Sequence, residues 1–249
     1  MTTPSSAPVA RPDTATDHAP YLASTPYIEA EHPAVIAFAR EEMGEATEPR
    51  DRAVRLYLAV RDGVRYDPYT WHTQPDVFRA STTLATRRSF CVPKAILLAA
   101  TARSAGIPSR LGFADVRNHL ATERLLSLMR TDLFVFHGYT ELLLGGRWIK
   151  VTPTFNVELC HRFGVEPLDW DGHGDAILQP FDREGRRHME YVRDRGSFAD
   201  LPLDELVAAC REAYPHSFDE QGRPRDLPAA RSGFEHEAER ERAGRASSS

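Results

Sequence analysis

Apolar positions recur at helical or alternating spacing between residues 27 and 216 and thin out on either side of that range. His32 to Met43 carries Val35, Ile36 and Phe38 at helical spacing. Asp51 to Asp62 does the same with Val54, Leu56, Leu58 and Ala59, so two amphipathic helices are predicted. Val64 to Pro68 closes the second into an extended or turn segment. The clearest helix follows in "CVPKAILLAATARSAGIP". Pro93 suits a first turn, Ala95 to Ala105 are strong helix formers, Gly106 is a stop and Pro108 a breaker. Cys91 stands at its head. Arg110 to Val116 reads as a strand. Asn118 to Arg130 reads as a short helix or lid, with Leu120, Leu125, Leu126 and Met129 on one side. In "LFVFHGYTELLLGGRWIKVTPTFN" two apolar runs flank Gly145-Gly146, which signals a two-residue hairpin. Residues 157 to 200 are turn-rich, with Phe181, Met189, Tyr191 and Phe198 set to wrap the core. Leu203 to Tyr214 forms a last amphipathic helix. Helices, then a cysteine-headed helix, then antiparallel strands define an α+β class.

The flanks differ in composition. Residues 1–26, rich in Pro, Ala, Ser and Thr, are expected to form a disordered arm. Residues 217–249 are charged and poor in apolar residues, and a disordered tail is expected there. One domain over 27–216 remains. A hydrophobic fraction of 41% and a charged fraction of 27% are ordinary for a globular protein. The net charge of -5 offers no basic face for nucleic acid, so no nucleic-acid partner is expected. No apolar run reaches the roughly 18 residues of a membrane helix, and the N-terminal residues lack the basic and apolar regions of a signal peptide. The three cysteines, Cys91, Cys160 and Cys210, show no CxxC spacing, against a disulfide framework or a structural zinc site. Cys160-His161 with His173 and Asp175 fits no metal spacing. A cytoplasmic protein with no metal, no cofactor and no membrane partner is therefore expected. The pattern does not set an oligomeric state.

Two residues carry candidate chemistry. A helix N-terminus presents free N–H groups and the positive end of the macrodipole, which favour a thiolate at Cys91, and Lys94 adds a charge one turn in. The competing reading of Cys91 is a small buried hydrophobe. If Gly145-Gly146 are the two turn residues, paired positions sum to 291: Tyr139 faces Thr152 and His137 faces Thr154. Alternation then puts His137, Tyr139, Glu141, Thr152 and Thr154 on one face, with Thr152 diagonal to His137. A strand histidine with an orienter on the next strand is the layout a general base needs; a satisfied, half-buried histidine is the alternative. Trp71 and Tyr66 are placed to wall an acyl pocket, where the Cys91 N–H would help form an oxyanion hole, or else to pack ordinarily. His119 either contacts substrate or follows a helix cap at Asn118. Trp71, Tyr139 and His119 are the candidate substrate-contacting residues.

The Cys91 helix head, the exit "ARSAGIPSRLGF" and the block "HGYTELLLGGRWIKVTPTFN" together resemble the bacterial transglutaminase-like superfamily over about residues 55 to 156. The resemblance implies a papain-like α+β core, with the cysteine-headed helix packed on an antiparallel β-sheet, and a Cys-His-Asp triad working in acyl transfer. By that matching Cys91 is the nucleophile and His137 the base. The family's aspartate position is Thr152 here, since the chain reads V-T-P-T. A hydroxyl can fix an imidazole tautomer but brings no charge; in serine proteases the neutral amide in place of aspartate costs about 10⁴ in rate. Thr152 as a weaker orienter, Asn156, and a carboxylate from Glu141, Asp169, Asp171 or Asp175 are the candidates for the third member. The expected function is cysteine-dependent hydrolysis or acyl transfer on a peptide, amide or thioester through a Cys91 acyl-enzyme. Amide-forming transfer and a non-catalytic binding module on the same fold are the alternatives.

Overall fold

The computed structural model describes residues 18–119, 121–178, 180–225 and 233–246. Residues 1–17 of the expected arm, Leu120, and residues 226–232 and 247–249 of the expected tail lie outside them.

Helices α1 (Pro33–Met43) and α2 (Pro49–Gly63) both open on proline, whose missing N–H falls where a helix has no acceptor for it. Strand β1 (Arg65–Tyr66) follows, then α3 (Ala80–Thr86) and β2 (Arg88–Ser89), which runs parallel to β1. Helix α4 (Cys91–Ser104) is buried from Val92 to Arg103. A helix with no solvated face belongs in the middle of a domain. Accordingly α4 packs on the sheet strands β3 (Ser109–Asn118) and β4 (Leu133–Leu144) and is also contacted by α1, α2 and α3. Gly106 follows α4 with a positive φ, and the Ile107 N–H returns to the Ala102 carbonyl, the expected stop.

Between β3 and β4 lies α5 (Glu123–Met129). Its N-cap is Thr122, whose hydroxyl accepts from the Leu125 N–H at 3.3 Å, rather than Asn118, which ends β3. Strand β5 (Arg147–Val151) pairs with β4 from Leu144↔Arg147 to Thr140↔Val151, the expected register. Gly145 and Gly146 both take positive φ, as a two-residue turn matched to strand twist requires.

After β5 come α6 (Val157–Phe163) and β6 (Met189–Phe198), both inside the stretch expected to be turns. β6 pairs with β3, completing an antiparallel sheet of order β5-β4-β3-β6. It is an edge strand with mostly exposed or half-exposed side chains, so "MEYVRDRGSF" needs no apolar alternation. Helix α7 (Leu203–Ala213) follows as expected. Inside the charged C-terminal stretch the chain forms α8 (Phe234–Ala246), packed on α6. Phe234 and Ala238 are buried, and Glu235 and Glu237 pair with Arg65 at 2.6 Å and Arg124 at 2.9 Å. At the other end, residues 19–21 form one turn whose Tyr21 ring stands edge-on to Trp148 at 5.0 Å.

The head of α4 meets β4 at Gly138. A Cβ built there would lie 3.0 Å from the Val92 Cα, a backbone atom that cannot step aside alone. Gly138→Ala is therefore expected to lower stability by about 1–3 kcal/mol, read by denaturant or thermal unfolding. An unchanged midpoint would show that the helix head is not seated on the strand.

Candidate active site

Cys91 is the first residue of α4, preceded by Phe90 in extended conformation with no side-chain cap. The first-turn N–H groups thus remain open at the sulfur. Cys91 is partly exposed, whereas Cys160 and Cys210 are buried; all three are free thiols. The N–H groups of Gly138 and Val92 lie against the sulfur and favour its charged form, but burial outweighs them and pushes the thiol up to about 11. Lys94 does not supply the expected charge at the sulfur. Its fully buried ammonium donates to the Arg61 carbonyl at 2.8 Å and to the Val64 carbonyl, closing the C-terminal end of α2, and burial lowers its pKa to about 7.

His137 lies on β4 next to Gly138, only 4% exposed, and lines the same cavity as Cys91. A bulge aims it. Between the pairs Ala114↔His137 and Val116↔Phe134 the ladder slips, and Phe136 takes a left-handed φ of 55°. That conformation costs a non-glycine residue about 1–2 kcal/mol. It is held by buried Asp115, which accepts from the Phe136 N–H at 3.1 Å and from Arg195 Nη2 at 2.8 Å, while the Arg195 guanidinium sits 4.6 Å over the Phe136 ring. Bulges of this kind re-aim a side chain. Burial lowers the His137 pKa to about 4. At neutral pH Cys91 and His137 therefore face the cavity as thiol and neutral imidazole.

Thr152 follows the last paired residue of β5, its N–H held by the Ala176 carbonyl at 2.9 Å. It is buried, yet its Oγ1 has no hydrogen-bond partner, and neither has His137 Nε2 or Thr154 Oγ1. No hydrogen bond joins Thr152 to His137 in this structure. The other candidates for a third member are engaged elsewhere. Asn156 accepts from the Tyr66 N–H at 3.1 Å and donates to Glu158 at 3.0 Å. Glu141 accepts from Arg110 at 2.6 Å and Ser197 at 2.8 Å. Asp169 pairs with Arg61, Asp171 with the His173 N–H, and Asp175 with the Lys150 N–H.

Trp71 and Tyr66 wall the cavity beside Cys91. Tyr139 and His119 do not line it. Thr140 donates to the Ala95 carbonyl of α4, so Tyr139 points to the opposite face, packed over Gly112 with Lys150 5.2 Å from its ring centroid. His119 bonds Glu190 at 3.2 Å in a separate hollow lined also by Arg187 and Tyr191. Two further residues stand out, Tyr191, which the sequence placed in a core-wrapping segment, and His188, which it did not single out. Tyr191, on the edge strand β6, stands edge-on to His137 with ring centroids 6.4 Å apart, and its hydroxyl lies beside Thr152. His188 stacks on Phe155 at 5.9 Å, and burial lowers its pKa to about 4.

A cysteine at the head of a buried helix and a histidine on the adjoining strand, sharing one cavity in an α+β fold, define a transglutaminase-like arrangement. Residues 36–153 match the family model of the transglutaminase-like superfamily, which marks a domain of that kind in the chain. The fold is also similar to a solved structure described as a "Putative Cysteine Protease from Cytophaga hutchinsonii", at 19% identity and a TM-score of 0.45, over 75% of this chain and 54% of that one. The chain thus spans about half the length of that protein. No curated protein matches it. Among the described residues no helix is long and apolar enough to cross a membrane.

The two buried histidines make an acid-stability prediction. Each has a folded pKa of about 4, below the ordinary 6.5 of the unfolded chain, so the native state binds fewer protons between those values. Their contribution is intact above pH 6.5 and is lost as pH falls through 4, at most on the order of 3 kcal/mol each. The unfolding midpoint should drop steeply from about pH 7 to about pH 4.5 and less steeply in His188→Phe. A midpoint flat across that window contradicts burial of neutral imidazoles.

Proposed function

We propose that the protein is a cysteine-dependent acyl-transfer enzyme of the transglutaminase-like type, acting in a reducing compartment through the unit spanning residues 27–216. The observation that carries this reading is the convergence of Cys91 and His137 on one cavity, with the histidine aimed by a strained bulge. Neutral His137 takes the Cys91 proton as the sulfur attacks an amide, peptide or thioester carbonyl, and the open N–H groups at the head of α4 stabilise the oxyanion. His137 then protonates the leaving group, and water releases the acyl group. Hydrolysis is the favoured outcome; an amine in place of water gives amide-forming transfer.

Thr152 takes the orienting role as a weaker substitute for aspartate. Its Oγ1 and His137 Nε2 are both buried and unpaired, and an unsatisfied buried polar atom costs about 1–3 kcal/mol. A hydrogen bond between them would satisfy both atoms, with the Tyr191 hydroxyl beside Thr152 as the competitor for Oγ1. A non-catalytic binding module is the second reading, supported by the low histidine and high thiol pKa values.

An activated aryl ester tests this. Turnover should fall by about 100-fold or more in Cys91→Ala and in His137→Ala, each still folded. Absence of turnover in the native protein with several acyl donors would favour the binding module. In Thr152→Asp a carboxylate beside the imidazole should raise the His137 pKa and preserve or raise Cys91 reactivity. A large loss with folding intact would point to a different orienter.

A further inference from the structure

The cavity that Cys91 and His137 share holds about 100 Å³, and no Asp, Glu, Lys or Arg lines it. From α5 come Leu125, Leu128 and Met129; from the opposite wall come Leu206 and Cys210 of α7. The Tyr214 hydroxyl also lies in this wall, but it is already spent on the Val135 N–H at 2.7 Å and the Leu133 carbonyl at 2.9 Å. Thr154 Oγ1 is an unpartnered buried polar atom of the lining on the side of the histidine. Asn118 and Ser217 add neutral polar groups to the lining, but the body of the cavity is otherwise apolar and offers no charge to a bound group.

Helix α5 is tied to its neighbours. The His216 ring bonds the Leu128 carbonyl at 2.8 Å, Arg124 pairs with Glu237, and the Glu123 N–H donates to Glu241 at 2.9 Å. The apolar wall is therefore a fixed shape against which length is measured.

We infer that the group bonded to the attacked carbonyl is an uncharged aliphatic chain on the scale of a leucine side chain, seated between α5 and α7. The inference rests on the acyl-transfer reading above and names its acyl specificity. Size follows from comparison: an apolar cavity of about 150 Å³ holds benzene, so this one admits a somewhat smaller group. Charge follows from the lining, since a carboxylate or ammonium would lose its hydration with no oppositely charged side chain to replace it. Each methylene buried adds about fourfold to kcat/KM until the cavity is full, and longer chains fall away.

The test uses two independent readouts on the full chain. Thioesters of N-acetylcysteamine carrying acetyl, butyryl, isovaleryl, hexanoyl, decanoyl or succinyl groups are assayed for turnover. Calorimetry measures binding of isovaleramide and succinamate to Cys91→Ala. Turnover should peak at isovaleryl or hexanoyl and fall by about 100-fold for succinyl. Leu128→Phe should move the optimum to shorter chains and Met129→Ala to longer ones, so one variant remains informative if the other fails to fold. Isovaleramide should bind Cys91→Ala and succinamate should not. Equal turnover of succinyl and isovaleryl donors would overturn the specificity while leaving the acyl-enzyme reading intact. Selective binding of isovaleramide with no turnover of any thioester would overturn that reading and keep the apolar cavity.

Discussion

The seating of the α4 head on β4 is the constraint on which the site depends. Only because residue 138 has no side chain can the Val92 backbone come so near the strand, and that contact sets Cys91 beside His137. The same contact buries His137 and leaves Cys91 only partly exposed. Helix-end N–H groups and a partner histidine favour charge on the sulfur; removal from water favours the neutral thiol. In this chain burial wins, and the resting pair is thiol and imidazole. Lys94, which would have tilted the balance, is turned away into the carbonyls at the end of α2.

Around that contact most buried polar groups are paired, and the bulge places strain at Phe136, whereas the other left-handed non-glycine residues, Arg87 and Arg130, end α3 and α5. Asp115 and Arg195 fix the bulge from β3 and β6, so the edge strand reaches the site twice, through Arg195 and through the Tyr191 ring against His137. Asn156 does a related task on the other side by fixing the Tyr66 backbone. Three of the buried unpaired atoms belong to the site, and His18, Arg50, His188 and Asp200 each carry another. At the site His137, Thr152 and Thr154 each bury a polar atom without a partner, a concentration expected of a site that completes its bonds with substrate rather than in isolation.

Much of this was legible in local sequence chemistry. Pro93 and Gly106 delimit α4, and Gly145-Gly146 fixes the β4–β5 register, because those residue types act on their own backbone. Features that depend on distant partners were not. β6 is a charged edge strand identified by what it pairs with, and α8 is held by Phe234 and two carboxylates that meet Arg65 and Arg124. Strand alternation could not reveal the bulge, since Phe136 looks like any strand aromatic. Nor could it show that Tyr139 would be spent on Gly112 and Lys150, or that His119 would turn to Glu190. Helix position alone also could not weigh the burial that opposes charge on the thiol, because burial is a property of the whole packing.

The most direct test of the account is the pH profile of Cys91 alkylation by iodoacetamide, followed by peptide mapping in the native protein and in His137→Ala. A neutral resting pair predicts a rate that climbs with pH toward about 11, with no plateau at acidic pH, and Cys91 labelled ahead of Cys160 and Cys210, whose thiols burial pushes to about 12. A fast plateau reached below neutral pH and abolished by His137→Ala would reveal a standing thiolate–imidazolium pair and contradict it.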